Sequence, residues 1–130
     1  MKVILGIGCD RGTPLQTLEE VVDKALSSIH LNRDAVQQLA TIDKKNDEQA
    51  ILQLSEKHHW PINFYPAEKL SQIEVPSPSE VVLKYMGTPS VSEAAALLAA
   101  NTDMRNLLVE KFKHRGADGK NATLSIVKTC

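Results

Sequence analysis

Residues 6–14, Gly-Ile-Gly-Cys-Asp-Arg-Gly-Thr-Pro, hold the densest set of groups that could do chemistry. An apolar run, Lys2-Val3-Ile4-Leu5, reads as a buried strand before them, and an amphipathic stretch follows. A strand, a glycine-rich turn and a helix start would aim backbone N–H groups and the helix dipole at one spot, which suits an anion. Gly6, Gly8 and Gly12 would give the backbone its sharp turn and a close approach to a ligand. Thr13 can cap the helix, with Pro14 in its first position and Gln16 completing a capping box. Arg11 in such a turn suits a carboxylate or phosphate. The spacing matches neither the dinucleotide fingerprint nor a Walker loop. Two readings therefore stand, a ligand-binding loop and a plain strand-to-helix turn.

Other groups carry less. Cys9 near a helix start could be a nucleophile, but no base partner is visible, and a small packed residue is the better account. Asp43, Asp47 and Glu48 could form an acid–base cluster, although capping by Asp47 and a dipole contact from Glu48 account for two of them. Asp43, at a strand end, is the better functional candidate. Lys44 and Lys45 read as solvated loop residues placed to meet an acidic ligand. His58 and His59 are adjacent on a helix end and point apart, so no metal site is expected there, and His30 reads the same way. Lys111, Lys113, His114, Arg115, Lys120 and Lys128 make a basic C-terminal hairpin, which is a solvated edge or an attractor for an acidic small molecule. Cys130 carries no assigned role.

The elements that must position these groups follow from periodicity. Apolar residues at 15, 18, 21, 22, 25, 26 and 29 predict a helix with one inward face. Leu39–Asp43 reads as a second strand. Asn46 or Asp47 would cap the next helix, whose inner side is Ala50, Ile51, Leu54 and His58. Ile62–Tyr65 reads as a third strand. Residues 66–90, with Pro66, Pro76, Pro78 and Pro89, form an extended segment broken by short helical turns, in which Val81, Val82, Leu83 and Tyr85 can pack. Ser90 and Glu93 make another capping-box pair before an alanine-rich helix over 91–100, expected to be buried. Leu107–Val109 and Ala122–Val127 read as two strands of an antiparallel hairpin. This order predicts a single three-layer α/β domain over residues 1–130. Its mixed five-stranded sheet would be parallel in its first part, with an antiparallel C-terminal hairpin. Ligands of such sheets sit outside the carboxyl ends of the parallel strands, where residues 6–13 and 43–47 fall.

The whole chain adds bounds. It has 130 residues, a formal net charge of -1 and 42% apolar residues, a composition that gives nucleic acid no electrostatic support. No run spans a membrane, no leader pattern opens the chain, and two cysteines imply no disulfide framework, so a cytoplasmic location is expected.

Four stretches resemble one family in order and spacing. They are Gly6–Thr13, Ala40–Lys45, Pro76–Val82 and Gly87–Leu97, and the strand at Lys128 matches as well. Their pattern is that of the cobalamin-biosynthesis proteins CobE and the C-terminal domain of CbiG. One departure is Asp10, where many members carry a basic residue. The resemblance implies a role in building the corrin ring. CbiG proteins open the lactone of cobalt-precorrin-5A and release acetaldehyde, and they carry further N-terminal sequence; a free-standing domain of this length is similar to CobE. The implied partner is a precorrin or cobalt-precorrin intermediate, rich in acetate and propionate groups, with no further cofactor. Expected ligand contacts are Gly8, Cys9, Arg11, Gly12, Thr13, Lys44, Ser77, Ser79, Gly87, Thr88 and Ser90, largely as helix-start donors for carboxylates. In an enzymatic reading Asp43 or Glu80 would be the general base and Arg11 the carboxylate clamp. A third reading is a small domain that docks on another protein of the cobalamin pathway through its proline-rich segment.

Overall fold

The computed structural model describes residues 1–76, 78–88 and 90–129; Ser77, Pro89 and Cys130 lie outside the described residues. Five strands, β1 (Val3–Cys9), β2 (Val36–Ile42), β3 (Ile62–Tyr65), β4 (Leu107–Arg115) and β5 (Asn121–Lys128), form one sheet in the order β3-β2-β1-β5-β4. β1, β2 and β3 run parallel, while β5 lies antiparallel to both β1 and β4. The mixed sheet is thus as the sequence predicts, with β4 much longer than Leu107–Val109.

Side-chain alternation divides the core. Val3, Leu5 and Ile7 of β1 face α1 (Leu15–Ser28) and α2 (Gln49–His58), where Leu18, Val21, Val22, Leu26, Ile51 and Leu54 are buried. Each such side chain contributes roughly 1.5–3 kcal/mol relative to exposure. Ile4 faces the other way, with Ala40 and Ile42, onto α5 (Ser92–Ala100). Two short helices, α3 (Ala67–Leu70) and α4 (Glu80–Met86), lie in the proline-rich segment. Helices on both faces of the sheet make three layers.

The glycine-rich stretch departs from its expected form. Gly6 and Gly8 belong to β1 and not to a turn; of the three glycines there only Gly12 has a positive φ, +77°. Gly6 is where α5 comes down on the sheet. A Cβ at this position would stand 1.8 Å from the Ser92 carbonyl oxygen. Glycine inside a strand marks such a close backbone approach.

Of the expected helix caps only Ser79 is realised, its Oγ accepting from the Val82 N–H at 3.3 Å at the start of α4. Pro14, Glu48 and Val91 hold the N-cap positions of α1, α2 and α5 without side-chain cap bonds. Thr13 instead donates from Oγ1 to the Asp10 carbonyl at 2.7 Å, and Ser90 donates from Oγ to Glu93 Oε1 at 3.2 Å. On α4, only Val82 and Met86 reach the core; Val81, Leu83 and Tyr85 are 66%, 47% and 68% exposed and do not pack as expected. Among the described residues, no helix is long and apolar enough to cross a membrane.

Candidate functional site at the carboxyl end of the parallel strands

The close seating of α5 on Gly6 builds one wall of a cleft. Gly6 pairs with Ser125 on β5, and the Ser125 hydroxyl bonds Ser92 Oγ at 2.8 Å and the Glu110 carbonyl. Two residue pairs further along, Gly8 lies beside Thr123, and Thr123 beside Lys113 on β4. That row forms the floor. Lys111 and Lys113 alternate with Phe112, which packs in the α1 core, so both lysines rise on the α5 face. α4 closes the opposite side with Ser79, Val82 and Met86. The enclosed volume is about 240 Å³. A second, more open groove of about 510 Å³ lies on the other flank of α4, lined by Arg11, Lys44, Lys45, Val81 and Tyr85. The two hollows share Cys9, Asp10, Val82 and Met86.

The structure brings Gly8, Cys9, Ser79 and Ser90 to the cleft, and Cys9, Arg11 and Lys44 to the groove. Gly12, Thr13, Gly87 and Thr88 line neither. Gly87 ends α4 with φ +77°, and Thr88 is buried with its hydroxyl donating to the Ser90 carbonyl at 3.1 Å. Asp43 and Glu80 are exposed and line neither hollow. Ser77 lies outside the described residues.

Arg11 and the α1 start differ most from expectation. Arg11 reaches Asp47 at 2.8 Å and Glu48 at 3.4 Å, and the Gly12 N–H donates to Glu48 Oε2 at 3.0 Å. The anion position at this turn is thus filled by the chain's own Glu48. Lys45, expected in solvent, is buried, with Nζ 3.5 Å from Glu48 Oε1. The Arg11 hydrogen bond and charge hold the Asp47 carboxyl below its usual range. Asp10 accepts from the Asn121 backbone N–H at 2.8 Å and its side-chain amide at 3.2 Å. Burial pushes the Cys9 thiol above its ordinary range, against the pull of Lys45 and Thr13. A protonated thiol is a poor nucleophile. Among the described residues, no three His, Cys, Asp or Glu side chains gather as a metal site. His58 bonds Glu19 at 2.6 Å and stacks on Trp60, and His59 ends its helix in the left-handed region.

Sequence reasoning missed Glu93 as anything but a cap. It is wholly buried behind the cleft, on the first turn of α5, with Oε1 3.8 Å from Lys111 Nζ. Its Oε2 has no hydrogen-bond partner among the described residues. Burial holds its carboxyl above the usual range, outweighing Lys111 and Ser90. The folded chain therefore keeps this proton to a higher pH than the unfolded chain. Folding is favoured where the group is protonated, and that advantage is lost as pH rises from the ordinary glutamate range through the folded value. Glu93→Gln should then stabilise the protein by about 1 kcal/mol at pH 7, with the gain fading by pH 4. Urea unfolding at the two pH values measures this; a loss at pH 7, or an equal gain at both, would contradict it.

A family model described as cobalamin synthesis G C-terminus matches residues 3–127. A cobalt-precorrin-5A hydrolase of Priestia megaterium is 36% identical over 107 residues, which are 82% of this chain and 29% of that protein. Protein CobE of a Sinorhizobium species is 32% identical over 112 residues, 85% of this chain and 72% of that protein. The crystal structure of CobE, a protein from the cobalamin (vitamin B12) biosynthetic pathway, superimposes with a TM-score of 0.80 at 32% identity, over 98% of this chain and 95% of that one. The chain thus spans under a third of the hydrolase and most of the two CobE proteins.

Proposed function

The chain belongs to the cobalamin synthesis G C-terminal family, and from that premise we propose that its cleft binds a polycarboxylate precorrin or cobalt-precorrin intermediate, as a carrier or accessory of corrin-ring construction. Residues 1–130 act in this reading as one binding domain. The observation that carries it is the pairing of Lys111 and Lys113 on one side of the cleft with the half-buried Val82 and Met86 of α4 on the other, while Val81 and Tyr85 line the groove on the far flank of that helix. A corrin precursor presents the matching surfaces, a broad apolar ring and a carboxylate periphery. Lysine ammoniums meet the carboxylates, while Val82 and Met86 cover ring atoms in the cleft. Lys44, whose Nζ lies 3.5 Å from the Tyr85 carbonyl, supplies a further cation at the groove.

Cobyrinic acid, a corrin with free acetate and propionate groups, is the probe. Titration followed by absorbance should give saturable binding that weakens with added salt. Lys113→Met should weaken it about tenfold, one charge-assisted contact being worth roughly that factor. Arg11→Ala should leave it unchanged, because Asp47 and Glu48 already hold that guanidinium. Absence of binding, or a loss confined to Arg11→Ala, would sink the reading.

The hydrolase name of the Priestia relative favours a second, enzymatic reading. Here the chain opens the lactone of cobalt-precorrin-5A, alone or with a partner chain, with Asp43 or Glu80 as general base. Neither side chain lines the cleft, which sets them below the binding reading. Acetaldehyde release separates the two, and turnover surviving Asp43→Asn and Glu80→Gln removes both assignments.

A further inference from the structure

Glu93 has no local reason to be charged. The helix beyond it, Ala94-Ala95-Ala96-Leu97-Leu98-Ala99-Ala100, is apolar, and Glu93 itself is fully buried. A buried carboxylate is costly, and one with an orphaned oxygen more so. What the charge does is visible at its other oxygen: Oε1 faces Lys111 Nζ at 3.8 Å and is fixed by the Ser90 hydroxyl at 3.2 Å. Ser90 and Lys111 both line the cleft, and Glu93 stands behind them. Lys111 is drawn in, its side chain only 17% exposed, whereas Lys113 on the same strand face is exposed.

We propose that Glu93 is a positioning residue for ligand binding: its buried carboxylate holds the Lys111 ammonium against the inner wall of the cleft, where it meets a carboxylate of the ligand. A lysine held in this way has already given up side-chain freedom that a solvated one loses on binding. Glu93 does not touch the ligand and acts only through Lys111. The inference rests on the reading that the cleft takes an acidic ligand.

Two measurements test it. In the first, cobyrinic acid affinity is measured for Glu93→Gln, Lys111→Met and the double variant. Each single change should weaken binding about tenfold, and the double should be no weaker than Lys111→Met alone. Full affinity in Glu93→Gln, or losses that multiply in the double, would overturn the proposal. The second needs no ligand. Acetic anhydride labelling of the folded protein, read peptide by peptide in a mass spectrometer, should rise several-fold at Lys111 in Glu93→Gln and stay constant at Lys113. Unchanged labelling at Lys111 would show that Glu93 does not hold it, and the proposal would fall. If the wild-type protein binds no cobyrinic acid while Lys111 labelling still rises, the reading of the cleft as an acid-binding site fails and the positioning role falls with it. The hold of Glu93 on Lys111 would then stand only as a structural pair.

Discussion

Gly6→Ala should destabilise the protein by about 3 kcal/mol, whereas Gly8→Ala, two residues along the same strand, should change stability by less than about 0.5 kcal/mol. The added methyl at position 6 would lie 1.8 Å from the Ser92 carbonyl oxygen and 3.0 Å from Ala96 Cβ. The first of these is backbone at the start of α5 and cannot rotate aside. Relief requires α5 to lift from the sheet, which loosens Ala94, Ala95, Ala96 and Leu97, all at most 1% exposed. At position 8 the methyl would meet only Val91 side-chain atoms, at 3.8 Å, an ordinary contact. Both substitutions remove the same backbone freedom from the unfolded chain, so the difference between them isolates the helix approach. Urea midpoints of the two variants decide it. Equal midpoints would mean that α5 does not sit on Gly6 as described, and the cleft wall built from Ser90–Ser92 would go with it.

The contrast also shows what was legible in the sequence. Element order and sheet type could be read because periodicity is local: Leu18, Val21, Val22 and Leu26 carry the α1 face in their spacing alone. The meaning of Gly6 is not local. Its cause is Ser92, far along the chain, and a glycine read without its partner looks like a turn. The capping boxes failed for the same reason. Thr13 and Gln16, or Ser90 and Glu93, have the right types and spacing, but Glu93 faces a lysine from β4 and Thr13 finds the Asp10 carbonyl. On α4 the apolar residues were visible, but not which of them the sheet would cover. Val82 and Met86 are taken, and Val81, Leu83 and Tyr85 are left outside. For the site, the sequence offered the basic hairpin as either a solvated edge or an attractor for an acidic small molecule. The alternation of Lys111 and Lys113 around Phe112 was the unused signal that both lysines share one face.

The last expected result concerns the turn that the sequence singles out. Glu48→Ala should cost about 3–5 kcal/mol, the range for removing one partner of a buried ion pair. Glu48 and Lys45 are 3% and 4% exposed, three residues apart, with Nζ 3.5 Å from Oε1. Alanine would strand the Lys45 ammonium in the interior and leave the Gly12 N–H without its acceptor. The pair as such need not be worth much, because its attraction is set against the cost of burying two charges. A Glu48→Leu, Lys45→Met double variant should therefore recover most of the loss, since it removes both charges and keeps the volume. Urea unfolding of the single and double variants measures both parts. If Glu48→Ala unfolds within about 1 kcal/mol of the parent, the lysine finds water or another anion and the interior there is not closed. The result bears on ligand binding too. While Glu48 occupies the Gly12 amide, an incoming carboxylate must displace it. A stable Glu48→Ala protein that gains affinity for cobyrinic acid would return the anion site to the start of α1. A destabilised one without that gain leaves the site on the β4 wall, between Lys111, Lys113 and α4.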